Sequence, residues 1–487
     1  MKTMKYVLMG VLALGFSASV KAQDGSKADV DAVKNLISSK PADLQKQLKP
    51  FYNKNKKNTE NLLAFARAFY EAQDTANARI YANHALTASK NKCAPAYVLL
   101  GDIAALADDG GAAAAYYDQA IYADNKYVDA YKRYAMVYSK IDPRGSAQKL
   151  DELKRNVPDV SIDAIKAHIF MRASERATDR QQVQENRKLA YEHYMKADLN
   201  KLDKGELNEF VRASYFTGHP QDAFRVAEAG LKLEPRNRTF NRMAMFASYD
   251  LKNYDVAKSY INKYFNESDS VTASEYDYYY TALIYDALDD RANAKKAYHQ
   301  ALDNVNESSM IKRWTILKTL SDSHMKEKDF ENAIKYYQDY LASKPEVKVD
   351  DYEGHAGIYA KWAEEADDAK KPELTNKAAD VYSAIAEKFP VQKAYATYKR
   401  AELRNKLDKN MEQRLAKPEY TQVVELLGNK ADRSKSENTM LKYSLHYLMF
   451  GSYLDKNIPA AKEYAAKILA IDPEYKPALE IQNLNQK

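Results

Sequence analysis

The sequence predicts an all-α protein, a solenoid of short helical repeats, on three observations. Segments that open with alanine return along the chain at intervals of 34 to 39 residues. Glycine and proline, 14 of each in 487 residues, stand singly as punctuation. A second apolar-periodic stretch precedes each alanine segment, so the recurring unit is a pair of helices. Stacked pairs give a chain of this length one continuous core, where a single globular core would split into domains.

Residues 1–22 read as a secretory signal peptide. Lys2 and Lys5 open it, an apolar run follows from Tyr6 to Phe16, and Val20, Lys21 and Ala22 form a small-residue cleavage signal. The run is too short to span a bilayer. Cleavage is expected after Ala22, so the mature chain starts at Gln23. Losing Lys2, Lys5 and Lys21 lowers the formal charge from +6 to +3, and so weak a charge on an exported chain argues against a nucleic-acid partner. No second long apolar segment follows, so no transmembrane segment is expected in the mature chain. With one cysteine, Cys93, an exported chain has no internal disulfide. Gln23 stands where a bacterial lipoprotein carries its lipidated cysteine. Cys93 itself, in "NKCAPAY", reads as a small half-buried filler.

Residues 23–58 hold "ADVDAVKNLISS" and "PADLQKQLKPFY", a lead-in pair of helices. The repeats follow over residues 59–346. Their second helices read "ARIYANHAL" at Ala78, "AAAYYDQAI" at Ala113, "AFRVAEAGL" at Ala223, "AKKAYHQAL" at Ala294 and "AIKYYQDYL" at Ala333. "AKEYAAKIL" at Ala461 returns to the same pattern near the end. Each carries one apolar stripe at helical spacing. Pro235, Pro345 and Pro473 stand twelve residues after their alanines, where proline stops one helix and suits the first turn of the next. Gly101 falls twelve residues before Ala113, a place for two helices to cross closely.

Ala113 to Ala147 and Ala223 to Ala257 each span 34 residues, the period of the tetratricopeptide repeat. The chain resembles that family. The match is carried by Leu100, Gly101, Ala113, Tyr117, Ala120 and Ile121; by Leu207, Phe210, Ala223, Ala227 and Pro235; by Leu317, Leu320, Ala333, Tyr337 and Pro345; and by Leu445, Leu448, Ala461, Ala465 and Pro473. The frame lapses over residues 160–204, and drifts through irregular helical repeats over 347–440. Residues 441–487 hold the last repeat and a capping helix, "KPALEIQNLNQK". The resemblance implies a right-handed α-solenoid whose first helices line a concave surface, with a protein or peptide as partner and no cofactor.

The chain holds 39 tyrosines, and "EYDYYYTALIYDALDD" (275–290) carries five of them. At 100° per residue, Tyr278, Thr281, Ala282 and Tyr285 share one side, expected to be core. Tyr276, Tyr279, Tyr280 and Leu283 share the other, where the resemblance places the concave surface. The same side of neighbouring first helices carries Asn208, Arg212 and Tyr215, then Arg242, Phe246 and Tyr249. These ten residues form the candidate groove. Tyrosine and arginine are the side chains most used in interaction hot spots, and Arg212 and Arg242 suit a ligand carboxylate. Against this, solenoid helices are squeezed between neighbours, so any one of these aromatics also suits packing. The last repeat offers Tyr443, His446, Phe450 and Tyr453.

No chemistry of catalysis is expected. The eight histidines show no metal-ligand spacing, and His84, His193 and His299 read as partly exposed residues of second helices. No nucleophile elbow and no phosphate loop occurs. Asp108 with Asp109, Asp289 with Asp290, and Asp367 with Asp368 fall at helix ends, where they cap. The expectation is a non-enzymatic interaction scaffold in the periplasm of a Gram-negative bacterium, with peripheral association to an outer-membrane complex open. The "KAQD" junction is similar to signal sequences common in Bacteroidota. One alternative is a glycan-binding uptake component resembling SusD, a family that usually carries a lipidated cysteine and exposed tryptophans. Another is an outer-membrane assembly factor.

Overall fold

The computed structural model describes residues 24–408 and 410–484. The expected signal peptide lies outside the described residues. Two compact units divide the chain at Val271. Among the described residues every regular element is a helix and no strand occurs.

In the first unit the helices are α1 (Asp24–Ser39), α2 (Leu44–Asn55), α3 (Thr59–Glu71), α4 (Thr75–Ala88), α5 (Ala94–Leu106), α6 (Gly110–Ala123) and α7 (Val128–Tyr138). They continue as α8 (Pro143–Asn156), α9 (Asp163–Arg176), α10 (Arg180–Tyr194), α11 (Lys204–Phe216), α12 (Pro220–Leu233), α13 (Arg238–Asp250) and α14 (Tyr254–Asn262). The second unit holds α15 (Glu275–Ala287), α16 (Arg291–Asn304), α17 (Arg313–Lys326), α18 (Phe330–Ser343), α19 (Val349–Glu365) and α20 (Lys371–Lys388). It ends with α21 (Lys393–Leu407), α22 (Lys417–Leu427), α23 (Lys435–Leu454), α24 (Ile458–Leu469) and α25 (Lys476–Gln482). Within each unit a helix packs chiefly on its neighbours one and two places along the chain, which makes each unit a solenoid of helix pairs.

One turn recurs inside the pairs. Five residues before the repeat alanine, the backbone enters the left-handed region at Gln73, Asp108, Gly218, Lys252, Asp289, Lys328 and Lys456. The next residue donates its N–H five positions back, as Asp74 does to Phe69 O at 2.9 Å and Asp329 to His324 O at 3.0 Å. This closes the first helix. The same residue then caps the second helix: Asp74 accepts from Asn77 N, Asp109 from Ala112 N and Asn457 from Ala460 N. The paired aspartates therefore divide the work, with Asp108 and Asp289 making the turn and Asp109 and Asp290 the cap.

The alanine stripe is the core. Ala78, Ala113, Ala223, Ala257, Ala294, Ala333 and Ala461 are fully buried, and the fourth residue onward is a buried alanine or tyrosine such as Ala82, Tyr117, Ala227, Tyr298 or Tyr337, or in one case Ile261. Gly101 is a point of close approach. A Cβ there would lie 2.7 Å from Tyr117 Cδ1 and 2.9 Å from its Cζ. The prolines do only part of what the spacing suggests. Pro235 and Pro473 lie in turns ahead of α13 and α25 and outside their first turns, because two further residues are needed to bring the chain round. Cys93 is buried at the start of α5, and burial pushes its thiol up.

Candidate functional site

Six of the ten candidate residues stand in the first unit, on α11 and α13. Tyr215 and Phe246 are 8% and 0% exposed, and their rings meet at 5.6 Å. Their burial is a correction to the expected groove: the two rings fill the seam between consecutive first helices and so leave no surface to offer. Asn208, Arg212, Arg242 and Tyr249 are half-buried. The Arg242 guanidinium lies 5.1 Å from the centre of the Phe246 ring. Tyr249 faces Tyr254 of α14, with ring centres 5.7 Å apart.

Arg212 is already engaged by a carboxylate. It donates to Glu175 Oε1 on α9, while Arg172 donates to Glu175 Oε2 at 2.7 Å. Burial raises the Glu175 carboxyl, but the bonds from Arg212 and Arg172 outweigh it and hold the group below the usual range. Beside them, Arg187 of α10 lies 4.7 Å from the Phe216 ring centre, and Arg176 donates to Ser139 O at 2.8 Å. Sequence periodicity passed over Arg172, Glu175, Arg176 and Arg187 because all four fall in the stretch where the repeat frame lapses. The visible signal was the i,i+4 spacing of two arginines in "MRASER".

The other four candidates lie on α15 of the second unit. Its two sides are less distinct than the helical wheel suggests. Tyr278 and Tyr285 are half-buried, while Tyr279 and Leu283, expected on the open side, pack on the same core cluster as they do. Tyr279 sits 6.1 Å from Tyr298 and its hydroxyl is 3.1 Å from Thr319 Oγ1 on α17. The physical reason is lateral: α15 is covered by its own partner α16 and by the next first helix α17. Tyr276 and Tyr280 stack at 4.9 Å and are half-buried.

Two further features emerge. In the first unit, Asp102 is 3% exposed and accepts from Tyr117 at 2.8 Å and Arg133 at 2.9 Å. Burial pushes the Asp102 carboxyl up to about 6 against the pull of Arg133. In the last repeat, Tyr443, Phe450 and Tyr453 are exposed. A cavity of about 340 Å³ opens there between α23 and α25, lined by His446, Phe450, Tyr453, Pro477, Ile481 and Leu484. Among the described residues no group of three His, Cys, Asp or Glu is placed to hold a metal ion. Among the same residues no helix is long and apolar enough to cross a membrane.

No family model matches the sequence, and no curated protein matches it. Solved structures do. The C-terminal part of a TPR repeat-containing protein from Cytophaga hutchinsonii aligns at 18% identity and a TM-score of 0.40, covering 56% of this chain and 98% of that one. A tetratricopeptide repeat protein from Parabacteroides merdae aligns at 15% identity and 0.32, covering 55% and 98%. A chain of the APC/C Cut9–Hcn1 hetero-tetramer aligns at 13% and 0.30, covering 91% and 99%. At such identities no site residue carries over.

Proposed function

We propose that this chain is a non-enzymatic scaffold of a bacterial cell envelope, exported to the periplasm, which holds a protein or peptide partner on the faces of its first helices. One observation carries the reading. After the core has taken its share, tyrosine, phenylalanine and arginine remain half-exposed or exposed on first helices: Arg212, Arg242 and Tyr249, then Tyr276 and Tyr280, then Tyr443, Phe450 and Tyr453. Such side chains join large contact area to directional hydrogen bonds, and a stiff run of helix pairs lowers the ordering lost on association. The "MKTMKYVLMG…VKAQD" opening supports export.

The test is crosslinking in cells that express the tagged full-length chain, with fractionation of periplasm and membrane. Native protein is compared with Arg242→Glu and Tyr280→Ala, each checked for native circular dichroism. A defined partner that crosslinks to native protein and is lost from a folded variant supports the reading. An identical partner set in all three, or recovery of the chain in the cytoplasm, overturns it.

A further inference from the structure

Several cations of the first unit each meet a carboxylate. Lys149 meets Asp118 at 3.0 Å, Lys204 meets Glu234 at 2.9 Å and Arg225 meets Asp222 at 2.9 Å. Arginines of α9, α10 and α11 are arranged differently. Four guanidiniums, Arg172, Arg176, Arg187 and Arg212, gather about one carboxylate. Glu175 spends both oxygens on Arg172 and Arg212. Arg176 is left with a backbone carbonyl, Ser139 O, and Arg187 with the face of Phe216. The group therefore carries an excess of three positive charges.

Burial first, and crowding second, disfavour two of these charges. Burial, then the neighbouring Arg172, depresses the Arg176 guanidinium, while burial, then Arg212, depresses that of Arg187. Neither contact needs a cation: a carbonyl takes any donor, and Phe216 packs as well under an apolar chain. An arrangement that disfavours its own charges makes sense when an anion completes it. Guanidiniums are planar forks suited to carboxylates and able to stack on rings, and at Glu175 two of them already take one carboxylate oxygen each.

We propose that the Arg172–Arg176–Arg187–Arg212 cluster is the docking point for an acidic segment of a protein partner, in which aspartate or glutamate carboxylates reach Arg176 and Arg187 beside the Glu175 pair. The proposal rests on the scaffold reading above and names the partner's chemistry. A peptide fits better than a nucleic acid because the whole chain is only +6 over 487 residues.

The experiment is fluorescence anisotropy with the full chain and a short labelled peptide carrying three spaced glutamates, beside its all-glutamine twin. Native protein should bind the acidic peptide and not the twin, and added salt should weaken the complex. Arg176→Gln with Arg187→Gln should lose roughly tenfold or more, while Arg225→Gln, from a paired site, should lose little. Glu175→Gln should bind tighter, since a competing carboxylate is gone, a sign that simple destabilisation does not produce. Should the double variant misfold, Arg187→Gln and Glu175→Gln still decide the matter by moving affinity in opposite directions. Equal binding of both peptides, no binding, or affinities unmoved by these variants overturns the proposal. Tighter binding of a single-stranded oligonucleotide or of anionic phospholipid vesicles also overturns it, assigning the cluster to phosphates. If the peptide fails while Arg242→Glu still loses a crosslinked partner, the cluster assignment falls and the scaffold reading stands.

Discussion

Gly101→Ala should destabilise the first unit, against the ordinary preference of helices. Replacing an interior helical glycine by alanine normally gains about 0.5–1 kcal/mol. Here the new methyl would sit 2.7 Å from Tyr117 Cδ1 and 2.9 Å from Cζ, inside the roughly 3.5 Å at which carbon atoms touch. Tyr117 is 1% exposed and its hydroxyl is tied to Asp102 at 2.8 Å, so the ring has to withdraw by most of an ångström or strain its bond. Overpacking of this kind costs about 1–3 kcal/mol, and weakening a hydrogen bond to a charged partner adds about 1.5–3 kcal/mol. Set against the propensity gain, the net loss is about 1.5–5.5 kcal/mol. Because two units need not unfold together, urea unfolding should be followed by circular dichroism and by hydrogen exchange resolved to α5 and α6. Unchanged or greater protection there would refute the close-approach argument. Adding Tyr117→Leu should recover part of the loss, since a smaller side chain makes room for the methyl.

Three further outcomes are expected. His355, stacked 5.8 Å from Tyr337, is held down to about 4 by burial, from 6.5. Between those values the unfolded chain binds the proton and the folded chain does not, so this stabilisation is full above about pH 6.5 and fades as pH falls, by up to about 3 kcal/mol. His355→Phe should flatten the acid side of the stability profile, and equal slopes for the two proteins would contradict the assignment. Lys328→Gly, at a left-handed turn position with φ 59°, should raise the melting temperature by the equivalent of about 0.5–1 kcal/mol; a fall in calorimetry would show that Lys328 contributes more than backbone shape. Tyr279→Ala should lower protection in α15 to α17 by about 1–3 kcal/mol while leaving the crosslinked partner in place, and selective loss of that partner from a stably folded variant would return Tyr279 to the binding face.

The fold was legible because its determinants are local. Alanines such as Ala113 and Ala333 mark the stripe where two helices meet, and aspartates such as Asp109 and Asp290 mark the caps four residues earlier. The site was less so. A helical wheel assigns a residue to a side of its own helix, but whether Tyr215 or Phe246 meets solvent depends on the helix two places along, which the wheel does not contain. The same blindness put Tyr279 on an open face that α17 covers. The arginine cluster was hidden for another reason: Arg172, Arg176 and Arg187 lie in the stretch where the period fails, so no frame aligned them with Arg212, which the regular repeat did mark.

The recurring left-handed turn has a consequence for how such a chain changes over generations. Within each unit a helix meets chiefly its neighbours one and two places along, and the same three-residue hinge joins the members of pair after pair. Duplicating or deleting a pair at such a hinge rewrites one seam and leaves the others intact. The length of the run of helix pairs is therefore a heritable variable, adjustable a pair at a time, while the chemistry at any one position along it, such as the arginines around Glu175, is kept.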